Sequence, residues 1–355
     1  MSLHDLGRRD MVAGAPWHET IRVNSQVPVD DDSLSLRDGG PPGRGGALSV
    51  FGPSLVLTIT IEASPERPAV HLHAGGQGIW VARLAATHGA DVTLCCALGG
   101  EPGLVLRSLI EAEPIRLKAA STGAPNGVYI HDRRSGERVE IVNVHGVPLD
   151  RHGSDALYGM ALAAGLDAEV TLLTGCRPPD LVAPDLYRRL VRDLRASDKI
   201  AVADLTGPPL RAVLEGGVEL LKLSEEEMVA EGFARTSALD DVISVARRLG
   251  SRGARHVLVS RAEEAAVLVS DGSSELALTA PPFEPVDAHG TGDSMFAATG
   301  VGIARGMSTI EALRVGMAAG ALNATRRGLG TGTREEIERL AAHVSVGPVR
   351  AAVAD

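Results

Sequence analysis

Regular spacing of apolar positions starts at Ala47. "ALSVFG" and "SLVLTITIE" are strand-like, and "AVHLHAGG" is a third strand candidate that stops at glycines. "GIWVARLAATHGA" changes to helical spacing, and "DVTLCCALGG" returns to a strand. "GVYIHDRRSGERVEIVNV" reads as a hairpin around Ser135-Gly136. The chain then alternates: strand "EVTLLTG", a helix near "PDLYRRLVRDLRA", strands "KIAVADLTG" and "VELLKLS", a helix over "LDDVISVARRLG", and strand "HVLVSR". Strands alternating with helices predict an α/β fold whose mostly parallel sheet is covered on both faces. "AAVLVSDGSSELALTA" predicts a late antiparallel hairpin turning at Asp271-Gly272. Two helices close the chain: one follows Gly292, and the other starts at a Ser308/Glu311 capping box and ends near Gly328. No internal repeat is visible.

These periods divide the chain. Residues 1–46 hold "VDDDSLSLRDGGPPGRGG" without a sustained apolar period and predict a flexible N-terminal extension. Asp30, Asp31 and Asp32 within it read as a solvated charge run rather than metal ligands, because nothing nearby would fix their geometry. Residues 47–345 predict one domain, and 346–355 a C-terminal tail.

Composition narrows the core. Hydrophobic residues are 44% of the 355 and aromatics only 3%, so Ala, Val, Leu and Ile must fill the interior, as in helices packed on a parallel sheet. A formal net charge of -10 argues against nucleic acid or an anionic membrane as partner. Cys95 and Cys96 lie in the apolar run "DVTLCCAL", far from Cys176, and suit a buried strand better than a metal site or disulfide framework. No apolar stretch reaches the roughly 20 residues of a membrane span, and no signal-peptide pattern is present, so a cytoplasmic protein is expected.

"PVDAHGTGDSMFAATGVGIARG", Pro285 to Gly306, carries the chemistry. Gly290, Thr291 and Gly292 precede a helix, where bare backbone N–H groups and the helix dipole favour an anion. Asp293 opposes that role by its own charge unless it is a general base, taking a proton from a hydroxyl while the loop steadies a phosphoryl group in transfer. A helix-capping role for Asp293 is the alternative.

The wider context supplies a resemblance. "VDAHGTGDSMFAATG" resembles the C-terminal signature of the ribokinase-like (PfkB) carbohydrate kinases, Asp-Thr-x-Gly-Ala-Gly-Asp followed by a helix: Asp287, Gly290, Gly292 and Asp293 match, while Ala288 replaces Thr and Thr291 replaces Ala. "HAGGQGIWVARLAATHGADVTLCCALGGEPG" is similar to the N-terminal signature, Gly-Gly-Lys-Gly-x-Asn, a helix, then Gly-Gly-x-x-Gly. "LLTGCRPP", "ADLTG", "LLKLSEEEM" and "VSRAEEAAVLV" follow in the family's order, and the resemblance covers roughly Ala47 to Gly332.

The resemblance implies a ribokinase-like three-layer sandwich, with a small β lid from strands near 55–73 and 128–144 that can also mediate a homodimer. It implies ATP-dependent phosphoryl transfer to a primary hydroxyl of a sugar or sugar-like substrate. Asp293 would be the base and the Gly290–Gly292 backbone, including Thr291, the anion hole. Glu227 would hold a water on a magnesium ion, although Ser224 and Glu227 also fit a capping box. Lys222 would lie near phosphates, or else be a solvated lysine, and Ser260, Arg261, Ala262 and Ala265 would border the nucleotide. Asp287 matches a position that contacts a monovalent cation, potassium for example, in some members. Gly75, Gly76, Gln77, Trp80 and Asn126 fall at substrate-binding positions.

The substrate side departs from the pattern. Gln77 replaces the usual Lys and Trp80 the usual Asn; Trp80 would either stack on a sugar or fill a helix–sheet contact. "VFGPSLVLTITIE" lacks the acid that often grips sugar hydroxyls. "STGAPNGVY" keeps Asn126 without the arginine of the hexose-phosphate branch, and Ala262 and Ala265 replace glycines. A sugar-phosphate kinase of the 1-phosphofructokinase or tagatose-6-phosphate type, an idle nucleotide- or sugar-binding regulator, and a dinucleotide-binding dehydrogenase are the competing readings. The last lacks both the third glycine, at Val81, and an acid in "TLCCAL". His71 and His73 on the lid ribbon are expected to be exposed.

Overall fold

The computed structural model describes residues 46–64, 67–271, 274–326 and 332–349. Apart from Gly46, the predicted N-terminal extension lies outside the described residues. The first half runs β1 (Ala47–Phe51), β2 (Val56–Glu62), β3 (Ala69–Gly75), α1 (Gln77–Thr87), β4 (Asp91–Gly99), α2 (Gly100–Glu111), β5 (Arg116–Thr122), β6 (Gly127–Asp132), β7 (Val139–Val144) and α3 (Arg151–Asp167). The second half runs β8 (Val170–Thr174), α4 (Pro184–Ala196), β9 (Ile200–Asp204), α5 (Gly207–Gly216), β10 (Val218–Ser224), α6 (Glu225–Ala230), α7 (Leu239–Gly250), β11 (Ala254–Arg261), β12 (Glu264–Ser270) and β13 (Ser274–Thr279). It closes with α8 (Thr291–Ala304), α9 (Thr309–Ala324), α10 (Arg334–Ala341) and β14 (Ser345–Pro348).

Among the described residues, ten strands form the main sheet in the order β14-β13-β12-β11-β10-β9-β8-β1-β4-β5. The run from β11 to β5 is parallel throughout, and β12 to β14 continue it antiparallel. Both faces are covered, so strand side chains alternate between two apolar cores rather than between core and water. On β4, Val92, Leu94, Cys96 and Leu98 enter the core beneath α1, α8 and α9, whereas Cys95 and Ala97 enter the one beneath α3, α4, α5 and α7. The paired cysteines thus fill opposite faces as free, buried thiols.

Helix α4 shows the local logic. Pro184 occupies its first turn, and Leu186, Tyr187, Leu190, Val191 and Leu194 form a buried stripe at helical spacing. Helix α8 is different: every residue from Ser294 to Ile303 is buried, because it lies between α1, α9 and strands β1 and β8. Small residues there permit close packing; a methyl added to Gly300 would meet Leu172 Cδ2 at 2.5 Å.

A second sheet, β3-β2-β6-β7, stands apart from the first. Its edge strand β7 is exposed on both faces, with Val139 and Ile141 each 51% accessible. His71 and His73 stack on this sheet, ring centroids 6.1 Å apart, and are exposed; His131 is buried on Thr60 Oγ1 at 3.2 Å.

Two boundaries differ from the expectation, and helices α2, α3, α5 and α10 are additional to it, α10 following the two helices expected to close the chain. The predicted C-terminal tail begins as β14, which pairs Val346 with Leu278 and Gly347 with Ala277. Strand β13 would otherwise present an unpaired edge, and a segment as short and Gly/Pro-interrupted as "SVGP" reveals its pairing only in the tertiary fold. Helix α9 ends at Ala324, where Thr325 Oγ1 donates to Leu322 O, earlier than the expected stop near Gly328, which lies outside the described residues. The β12–β13 pair is in place, with Gly272 of its expected turn also outside them. Helix α3, invisible in the sequence pattern, starts where Asp150 Oδ1 accepts from Gly153 N–H at 2.7 Å. No helix among the described residues is long and apolar enough to cross a membrane.

Candidate active site

The carboxyl ends of the parallel strands meet the start of α8. Gly290 caps that helix in the left-handed region (φ 75°), which glycine adopts without strain, just ahead of the first-turn N–H groups. Of these, Thr291 N–H donates to Ala288 O at 3.3 Å and Ser294 N–H to Gly290 O at 2.9 Å. Among the described residues, the N–H groups of Gly292 and Asp293 have no acceptor and the buried Thr291 and Ser294 hydroxyls no partner. A methyl on Gly292 would sit 2.7 Å from Lys222 Nζ, so any larger residue there would displace that ammonium from the loop. Asn323 Nδ2 donates to His289 O at 2.8 Å, anchoring the loop to α9.

Asp293, half-buried at the third position of α8, belongs to a polar chain crossing the sheet end. Gln77 Nε2 donates to Asp293 Oδ1 at 3.3 Å and to Asp204 Oδ2 at 3.1 Å. Gln77 Oε1 accepts from Gly175 N–H at 2.9 Å. Lys222 Nζ donates to the same Asp204 Oδ2 at 2.9 Å, with side-chain exposures of 7% and 4% for the pair.

Burial pushes the Asp204 carboxyl up to about 7; Lys222 opposes the shift, while Glu227 and Asp293 add to it. Burial pulls Lys222 down, but Asp204, Glu227 and Asp293 outweigh it and hold the ammonium above its ordinary value. The Asp293 carboxyl is raised by burial, against the pull of Lys222 and the Gln77 hydrogen bond. A carboxylate raised in this way is a better proton acceptor.

Alongside, Ser224 caps α6 in a capping box: Ser224 N–H donates to Glu227 Oε2 at 2.7 Å, and Glu227 N–H to Ser224 Oγ at 3.1 Å. Among the described residues no hydrogen bond reaches Glu227 Oε1. Ser260 lies opposite Ser224 in the β10–β11 register, and Arg261 Nε donates to Glu225 Oε2 at 3.0 Å. Ala262 turns the β11–β12 connection with φ 38°, a region that costs a residue with a Cβ roughly 1–2 kcal/mol; Ala265 follows it on β12.

The profile of the pfkB family carbohydrate kinases matches residues 55–336. This chain belongs to that family. It is 28% identical over 293 residues to an ATP-dependent 6-phosphofructokinase isozyme 2 of Mycobacterium tuberculosis, covering 80% of this chain and 85% of that one. To a 1-phosphofructokinase of Haloferax volcanii it is 30% identical over 282 residues, 78% and 88% of the two chains. Its fold matches the crystal structure of phosphofructokinase-2 from Escherichia coli in complex with potassium, with a TM-score of 0.72, 25% identity, and coverage of 84% and 99%. The chain is a ribokinase-like, ATP-dependent phosphotransferase acting on a sugar hydroxyl. The dehydrogenase reading falls with that membership.

The kinase brings Asp293, Gly290, Thr291, Gly292, Lys222 and Gln77 together, with Ser224 and Glu227 beside them. Other expected positions lie elsewhere or are already engaged. Trp80 leaves the cluster: it packs beneath Arg83, whose Cζ is 4.7 Å from its ring centroid, beside a cavity of about 300 Å³ bordered by Glu113, Pro114 and Ile115. Three residues past Gln77, it sits a helical turn away from the sheet end. The Asn126 amide is spent on backbone, donating to Ala97 O at 3.0 Å and Leu55 O at 3.3 Å and accepting from Gly99 N–H at 2.9 Å. Gly75 ends β3, and Gly76 caps α1. Asp287 Oδ1 accepts from His289 N–H and Nδ1, at 3.0 and 2.7 Å.

Sequence reading missed Asp204, whose signal was its place at the carboxyl end of "IAVAD". On the neighbouring loop Ser54 Oγ donates to Arg177 O at 2.7 Å, while the Arg177 side chain is exposed, without a polar partner among the described residues. Ser54 O in turn lies 2.6 Å from where a Cβ on Gly76 would be, so this loop borders the wall that carries Gln77.

Proposed function

We propose that the kinase transfers the γ-phosphoryl group of ATP to a primary hydroxyl of a phosphorylated sugar, with Asp293 as general base. The observation that carries this reading is the pairing of a raised, half-buried carboxylate with two acceptor-free N–H groups at one helix start. The hydroxyl oxygen bonds to the γ-phosphorus as ADP leaves, and its proton passes to Asp293. The Gly292 and Asp293 N–H groups take up negative charge on the phosphoryl oxygens, with Lys222 Nζ beside them. Glu227, with Oε2 tied down and Oε1 open, suits a water-bridged magnesium ion; bound with the nucleotide, the ion supplies neutralisation of the phosphate charge. Ser260, Arg261, Ala262 and Ala265 lie on the strand end and turn suited to the nucleotide.

The finer acceptor class rests on the relatives, which are named for phosphofructokinase activity, and on Arg177. Arg177, exposed on the loop that Ser54 Oγ holds through Arg177 O, is a cation suited to a sugar's own phosphate. A second copy of the small sheet is the partner that fits the apolar edge strand β7. Asp287 Oδ2 is the atom of that residue left for a monovalent cation.

Asp293→Asn tests the base. Turnover should fall roughly 10²–10⁴-fold with ATP affinity unchanged; near-normal turnover would remove Asp293 from the chemistry. Phosphate transfer from ATP across a panel of free and phosphorylated ketoses identifies the acceptor class.

A further inference from the structure

We propose that Gln77 is a positioning residue for the base, holding Asp293 Oδ1 so that Oδ2 is the oxygen that receives the substrate proton. This rests on the kinase reading above, but it assigns Gln77 to the protein's own proton chemistry instead of to the sugar. Its side-chain amide has two N–H donors and one carbonyl. Both donors are used, one on Asp293 and one on Asp204, and the carbonyl accepts from Gly175 N–H. The acceptor role of Oε1 toward a backbone N–H forces Nε2 toward the carboxylates; the reverse orientation would set an oxygen against two acids. No donor remains for a sugar hydroxyl.

The placement follows from the fold. Gln77 is the first residue of α1, and its neighbour Gly78 lies against Gly52, just past β1. A methyl on Gly78 would be 2.4 Å from Gly52 Cα, so this contact needs two glycines. It brings the start of α1 down onto the ends of β8, β9 and α8, which carry Gly175, Asp204 and Asp293. The amide is then a neutral bridge between two acids, Asp204 bonded to Lys222 and Asp293 within its electrostatic reach. The charged groups facing Asp293 are Lys222 from β10, Glu227 from α6 and Asp204 from β9. A lysine at position 77 would add a second cation to this set and lower the base's proton affinity; glutamine orients the base while keeping that affinity high.

The test compares Gln77→Met, of similar length without donors, and Gln77→Lys, which keeps a donor and adds charge. Two readouts are taken: steady-state kinetics with ATP and the best ketose acceptor of the panel, and carbon NMR titration of the Asp293 carboxyl in acceptor-free protein, assigned by its loss in Asp293→Asn. For Gln77→Met, kcat should fall about 10–100-fold, KM for the acceptor should stay within about twofold, and the titration should move to higher pH. For Gln77→Lys the titration should move the opposite way, by roughly one pH unit or more, and kcat at neutral pH should recover part of the loss. A Met variant with raised acceptor KM and unchanged kcat would make Gln77 an ordinary sugar contact and overturn the proposal. A titration unmoved in both variants would overturn it whether or not any acceptor is phosphorylated; absence of phosphoryl transfer by the unsubstituted chain would count against the kinase reading alone.

Discussion

Lys222→Met removes one half of the ion pair that the site is built around. Its partner, the Asp204 side chain, is 4% exposed and would keep Gln77 Nε2 as its remaining side-chain donor. Breaking a buried pair from one side costs about 3–5 kcal/mol, because the surviving charge is left without compensation. The cost must depend on pH. A carboxyl whose folded pKa is raised keeps a proton that the unfolded chain releases, so stability falls by about 1.4 kcal/mol per pH unit between the unfolded and folded values, then levels off. In the unsubstituted kinase that fall ends at about 7. Without Lys222, which holds the Asp204 carboxyl down, it continues to higher pH, so the deficit of Lys222→Met widens above neutrality. Urea midpoints at pH 6 and pH 8.5 should show the larger loss at the higher pH, by about 1–2 kcal/mol. In Lys222→Met/Asp204→Asn the orphan charge is gone and an acceptor for Gln77 is kept, so most of the stability and the flatter pH dependence should return. An equal deficit at both pH values, or no recovery in the double variant, would show that the two groups are not a buried pair.

Two further outcomes follow from the surface. Arg177→Ala should raise KM for a phosphorylated acceptor about tenfold or more, the worth of a charge-assisted contact, while leaving KM for an unphosphorylated ketose unchanged; equal effects on both would mean that Arg177 does not read phosphate. Ile141→Asp, at a position 51% exposed on β7, should shift sedimentation of a lid-to-lid dimer toward monomer; an unchanged profile would place any self-association elsewhere.

The alternation of apolar runs determined the parallel α/β architecture, since strands buried on both faces and stripes such as Leu186–Leu194 must pair in few ways. The Gly-Thr-Gly-Asp loop was equally legible, because unpartnered N–H groups and a helix start are local properties: Gly290 takes the left-handed turn there and Asp293 enters the first turn. Only the tertiary structure decided the rest. That "SVGP" closes a sheet edge depends on β13, some 70 residues earlier in the chain. That Trp80 stays away from the site and Gln77 enters it depends on how α1 is rotated against β1 at Gly52 and Gly78. Asp204 has nothing local to distinguish it from any strand-end acid; it becomes part of the site because β9 and β10 are neighbours and Lys222 reaches it. Spacing along a chain encodes which face a side chain takes, whereas the meeting of Gln77, Gly175, Asp204, Lys222 and Asp293 depends on the order in which strands and helices pack.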